Sequence, residues 1–189
     1  MDDLRFPIGK FNFEKEVSEN QISSLIDQIE ALPQLLKRAV EELKEEHLDS
    51  PYRPGGWTIR QLIHHIADSH MNGYIRVKLA ITEEKPTIKH FENALWAKLD
   101  DSLLPVEISI KLLEALHERW VILLRSLSAL DRARELNHPN NGLLTINQLI
   151  GIYAWHGNHH LAHITSFITE VSVATEHRSC NLAGGNPVR

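Results

Sequence analysis

The sequence predicts an all-α protein, a four-helix bundle. Four long stretches carry apolar residues at the three- and four-residue spacing of a helix face. Three of those stretches are preceded by a Ser/Thr-x-x-Gln capping pair. No segment shows a convincing alternation of period two.

Residues 1–18 mix Pro7, Gly9 and the aromatic Phe6, Phe11 and Phe13, which reads as an arm laid across a body. Ser18 and Gln21 then open a helix running to about residue 46, with Ile22, Leu25, Ile26, Ile29, Leu32, Leu36, Val40 and Leu43 on one face. Pro33 lies inside it and predicts a kink or break. Residues 47–56 (HLDSPYRPGG) read as a loop. Thr58 and Gln61 open a second helix to about Ile81. The connection 83–106 is too long to be structureless, so a short helix is expected over Asn93–Lys98. A leucine-rich third helix spans about 107–130. Residues 131–144 read as a turn-rich loop, and Thr145 with Gln148 opens the fourth helix, Ile146 to about Glu170. One domain over 1–170 follows, with 171–189 expected to be a flexible tail. Two long connections permit a topology other than simple up-down-up-down.

Composition narrows the function. The chain has 189 residues with 42% hydrophobic, enough for one core. Lys plus Arg is 20 against 25 for Asp plus Glu. That balance argues against nucleic-acid binding. A single cysteine, Cys180, excludes a disulfide framework and a Cys-rich zinc module. No apolar run has membrane-spanning length and the N-terminus lacks a signal-peptide pattern, so a soluble cytoplasmic protein is expected.

Histidine is the anomaly. There are 12, and seven of them fall within 64–70 and 156–163. In the fourth helix, His156/His160 and His159/His163 are both i,i+4 pairs, close enough for two imidazoles to share an ion. A helical wheel puts His160 about 5° and His156 about 45° from the centre of the apolar face. His159 lies about 105° away and His163 about 65°. His156 and His160 therefore face the bundle interior, as a chelating pair or as two hydrogen-bonded core histidines. His159 and His163 read as a polar flank or as proton carriers. The second helix offers His64, His65 or His70 as a third ligand, and periodicity favours His70. His117 is expected to pack or hydrogen-bond within the bundle.

Longer motifs carry a resemblance. LRFPIGKF (Leu4–Phe11), RPGGWTIRQLIHHIADSHMN (Arg53–Asn72), LHERW (Leu116–Trp120) and YAWHGNHHLAHI (Tyr153–Ile164) together resemble the YfiT group of the DinB superfamily. The resemblance covers about residues 1–170. It implies a DinB-like bundle of up-down-down-up topology, one divalent metal per subunit on three histidines, and a homodimer. Its H-x-A-D motif points to His65 rather than His70, and its H-x-x-x-H motif to His156 and His160.

Three neutral imidazoles leave a divalent ion its full charge and an open position, the arrangement of a catalytic site. Zn²⁺ is the expected metal, and Ni²⁺ suits the same ligands and is open to uptake during purification. Activation of water gives a metal-dependent hydrolase acting on a small substrate. Activation of a thiolate gives instead a low-molecular-weight thiol S-transferase of the bacillithiol type. The third alternative is a non-catalytic metal-binding stress-response dimer. No HExxH motif supplies a general base. Asp68, one turn after His65, is a candidate for orienting a ligand imidazole, with a solvated aspartate the equal alternative. Trp57, Arg60 and Arg76 are candidates for holding an anionic substrate at the mouth.

Overall fold

A computed structural model of the chain describes residues 2–12 and 17–183, with side chains described over 4–12 and 17–173. The four long helices are α1 (Glu19–Glu41), α2 (Ile59–Thr82), α3 (Val106–Ser126) and α4 (Ile146–Ala183). Three begin at the capping pairs the sequence announces. The Ser18 amide donates to Gln21 Oε1 at 3.2 Å, that of Thr58 to Gln61 Oε1 at 3.0 Å, and that of Thr145 to Gln148 Oε1 at 2.9 Å. Each contact satisfies an amide that the helix cannot.

Contacts along the helices fix the topology. In α1 and α3, Asp27 meets Arg125 and Gln34 meets Glu114, so the two run antiparallel. His64 meets Ser109 and His70 meets His117, so α2 and α3 run parallel. α4 runs antiparallel to α2, with His65 against His160 and Arg76 against Tyr153. The order is up-down-down-up. α1 and α2 lie diagonally across the bundle, as do α3 and α4, which is why the connections between them are long.

The core is two apolar clusters with a histidine layer between them. One cluster includes Ile26, Ile29, Val77, Trp120, Leu124, Ile150 and Tyr153. The other includes Leu36, Leu62, Ile63, Ile66, Leu113, Ile164 and Phe167. On α2, α3 and α4 the residues between the two sets include His70, His117 and His156–His163. Two glycines bring the helices close here. A Cβ on Gly73 would stand 2.5 Å from the Tyr153 ring and 2.7 Å from Trp120, and one on Gly157 would stand 2.5 Å from Leu32 Cδ2.

Several sequence expectations change. The segment 131–144 is not merely a loop: Glu135–His138 and Gly142–Thr145 form an antiparallel hairpin, with Gly142 at φ +71° opening the second strand just after the turn. Strands of four residues are too short to display an alternation. The hairpin pins the end of α2, because Arg134 donates to the carbonyls of Ala80 and Glu83. Pro33 does not break α1, which is continuous through it. α1 ends at Glu41 rather than near 46 and is followed by a short helix, Glu45–Leu48. α3 ends at Ser126, and a capped turn Ala129–Arg132 follows. α4 continues past 170 to Ala183, through part of the expected tail; 184–189 lie outside the described residues. Within 83–106 the short helix forms over Asn93–Trp96. The arm packs as expected: Phe11 lies 5.9 Å from Trp155, Phe6 lies 6.0 Å from His159, and Trp155 Nε1 donates to Gly9 O. Phe13 lies outside the described residues.

Candidate metal centre

Histidines 65, 156 and 160 come together where α2 and α4 cross. Each offers one ring nitrogen, and these atoms all lie within 4.8 Å of one another. The Nε2 atoms of His65 and His156 are 3.2 Å apart, and the rings of His65 and His160 meet edge-on at 5.1 Å. A tetrahedral zinc ion holds its nitrogen ligands about 3.4 Å apart, so the spacing suits such an ion. Burial lowers the His65 pKa to about 4 and pushes His156 and His160 well below their ordinary value. All three are neutral near pH 7, the form that binds a cation.

Behind His156 runs a chain of imidazoles. His156 Nδ1 lies 3.2 Å from His70 Nε2, His70 Nδ1 lies 3.0 Å from His117 Nε2, and His117 Nδ1 lies 2.6 Å from the Ile29 carbonyl oxygen. A carbonyl can only accept, so His117 Nδ1 must carry its proton toward Ile29. In neutral rings each proton then fixes the next: His70 Nδ1 donates to His117, and His156 Nδ1 donates to His70. His156 Nε2 is left as a bare lone pair facing His65. Burial lowers the pKa of His117 to about 4 and of His70 far below its ordinary value, keeping both rings neutral. Periodicity picked His70 because it is fully buried; it serves the site from behind His156.

The remaining candidates separate clearly. His64 is structural, held by Ser109 Oγ at 2.7 Å and the Leu104 carbonyl at 2.9 Å. His159 and His163 pair through their Nε2 atoms at 3.2 Å, with Tyr52 4.4 Å from the His163 ring. With His160 they form a second group of ligand-type nitrogens, all from one helix and already satisfying each other in part. Among the described hydrogen bonds, none joins the Asp68 carboxylate to a ligand imidazole; burial, with the Asp101 charge second, raises its pKa to about 6. Arg60 does not serve the mouth. It is committed to Asp49 at 2.7 Å and Glu45 at 2.6 Å and lines no part of the cavity below.

A cavity of about 490 Å³ opens over the three nitrogens. Its wall includes the ligands, Trp57, Phe91, Trp155, Ser69 and Asn93. The Trp57 ring lies 4.8 Å from His65. Arg76 lies behind Phe91, its guanidinium 6.0 Å from that ring and donating to Tyr153 Oη at 3.0 Å. Sequence reasoning missed Arg53, His90, Phe91 and Asn93 in this wall. Only Arg53, in the RPGG turn, had a local signal.

Comparison with known proteins gives the family of the chain. The sequence profile of the DinB superfamily matches residues 28–164. A protein of Oceanobacillus iheyensis named "Putative metal-dependent hydrolase" is 57% identical over 86% of this chain and 94% of its own. A Bacillus cereus protein of the same description is 52% identical over 88% and 96%. The solved structure of YfiT from Bacillus subtilis, described as "a probable metal-dependent hydrolase with an unusual four-helix bundle topology", has a TM-score of 0.86 and 42% identity, covering 90% of this chain and 98% of that one. With its profile matched across α2, α3 and parts of α1 and α4, and the same bundle beneath it, the chain belongs to the DinB superfamily.

Proposed function

We propose that the protein is a cytoplasmic, homodimeric hydrolase that works on a small substrate through one Zn²⁺ per subunit held by His65, His156 and His160. The observation that carries this reading is the cavity. The three neutral nitrogens converge on its wall rather than in a sealed core, so an ion there keeps a coordination position accessible. That opening weighs against a purely structural metal.

Bound there, a divalent ion supplies the Lewis acidity that activates a small nucleophile. The chain's own residues do the rest. The Ile29–His117–His70 sequence keeps the His156 proton on Nδ1 and its lone pair toward the ion. Trp57, Phe91 and Trp155 give the cavity apolar walls that exclude bulk water. No described lining residue is a carboxylate, and His90 and His159 are the non-ligand imidazoles in the cavity.

The test is a screen of esters, amides and reactive electrophiles on zinc-loaded protein, with and without low-molecular-weight thiols. Turnover of esters or amides without thiol supports hydrolysis. Turnover that requires thiol assigns the same site to S-transfer. No turnover by protein retaining full metal counts against an enzyme. Light scattering checks the dimer independently.

A further inference from the structure

The RPGG segment builds a specific turn at the mouth of the cavity. The Gly56 amide donates to the Arg53 carbonyl at 2.9 Å, Pro54 takes the second position and Gly55 the third at φ +69°. This is a type II turn, whose third position requires a positive φ. The Tyr52 amide then donates to the Trp57 carbonyl at 3.1 Å, closing the loop and bringing Arg53 and Trp57 to the same wall. Gly56 is needed for a second reason. A Cβ there would stand 2.9 Å from Arg53 Cγ, so only glycine lets the arginine stem fold back over the turn.

The guanidinium so placed has no carboxylate partner among the described residues. Arg53 Nη1 donates only to the Pro54 carbonyl, at 3.2 Å, its face lies 5.2 Å from the Tyr52 ring, and its Nε is buried with no partner. Three other arginines carry carboxylate partners: Arg60 has two, Arg125 has two, and Arg132 has Glu19. Arg76, behind Phe91, is also without a carboxylate among the described residues, and its buried Nη2 has no partner. Arg53 is half-buried, and its guanidinium keeps donors that a ligand in the cavity can complete.

The whole cavity has this character. The chain carries 25 acidic residues against 20 basic ones, yet none of the described residues lining the cavity is acidic. A divalent ion on three neutral ligands would add two positive charges uncompensated. We infer that the cavity takes a substrate bearing an anionic oxygen group, carboxylate or phosphate, which pairs with the Arg53 guanidinium while the reacting end lies at the histidines. The position of the reacting end rests on the metal-site reading above; the anion pairing does not.

Cobalt-substituted protein provides the test. Mercaptoalkanoates of two to six carbons are titrated against matched mercaptoalcohols and followed by the thiolate–cobalt absorption. The acid of best-fitting length is expected to bind roughly tenfold more tightly than its alcohol. Arg53→Gln should abolish that preference while leaving the alcohol's affinity within about twofold, and Arg53→Lys should restore part of it. An equal preference in wild type and Arg53→Gln, or none at any length, overturns the inference. If the cobalt centre does not form, the metal reading fails by itself. Arg53 is then probed in metal-free protein by quenching of tryptophan fluorescence with glutarate and with inorganic phosphate. Saturable quenching that Arg53→Gln removes supports the pairing and distinguishes carboxylate from phosphate; identical responses in both proteins overturn it.

Discussion

His117 Nδ1 lies 2.6 Å from the Ile29 carbonyl oxygen, and through His70 this contact sets the proton position on His156. In the proposed site, metal affinity should therefore depend on a residue of α3 that is not itself a ligand. His117→Leu leaves the buried His70 N–H without an acceptor. The expected outcome is a loss of about 1–3 kcal/mol in urea unfolding and a fall of about 10- to 100-fold in zinc affinity, read by competition with a chromophoric chelator. Unchanged zinc affinity would show that the imidazole chain does not orient the ligand.

Two histidines of similar burial should behave differently when removed. His160→Ala takes away a converging nitrogen, and zinc affinity should drop at least about 100-fold, beyond the range of an outer hydrogen-bond partner. His64→Ala takes away contacts to Ser109 and Leu104 only. It should cost about 1–3 kcal/mol of stability while retaining near-stoichiometric metal. Metal analysis of both variants after dialysis separates the two roles.

Acid should unfold the metal-free protein early. His117 is held near pKa 4 in the fold against an ordinary 6.5, so the unfolded chain binds more protons between those values. Its stability contribution is complete above about pH 6.5 and falls as pH drops toward 4, by about 3 kcal/mol for this one group. His65, His70, His156 and His160 shift in the same direction. Asp68, raised to about 6, acts oppositely and gains stability as pH falls. The histidines outnumber it, so melting temperature should decline steadily from pH 7 to pH 4.5. A flat profile over that range would contradict the buried neutral rings.

Gly73→Ala should destabilise the bundle by about 1–3 kcal/mol through overpacking. The added methyl meets the rings of Tyr153 and Trp120, both buried in the core. Thermal unfolding measures this directly. The loss should exceed that for alanine at Gly55, where nothing lies within 4 Å and only the positive φ opposes the change.

Much of this fold was legible in the sequence because its signals are local. Ser18/Gln21, Thr58/Gln61 and Thr145/Gln148 declare helix starts over four residues. The hairpin at Glu135–Thr145 was not legible, since each strand is too short to show a period and the pairing depends on a turn. The wheel identified His156 and His160 from the apolar stripe. It chose His70 over His65 because a wheel reads burial, whereas convergence of ring nitrogens depends on which neighbouring helix a ring meets. Arg60 looked as suitable for an anion as Arg53. What separates them is the position of Asp49 and Glu45, eleven and fifteen residues back along the chain.

Gly157 follows His156 directly and seats α4 against Leu32 of α1. One turn of α4 is thereby committed on two sides, to a ring facing the candidate metal site and to a backbone pressed on its neighbour. Sideways drift of that turn is blocked, so descendants of this sequence have little room to retune the centre by moving it. Diversity in what the pocket accepts must come instead from the loops around its rim.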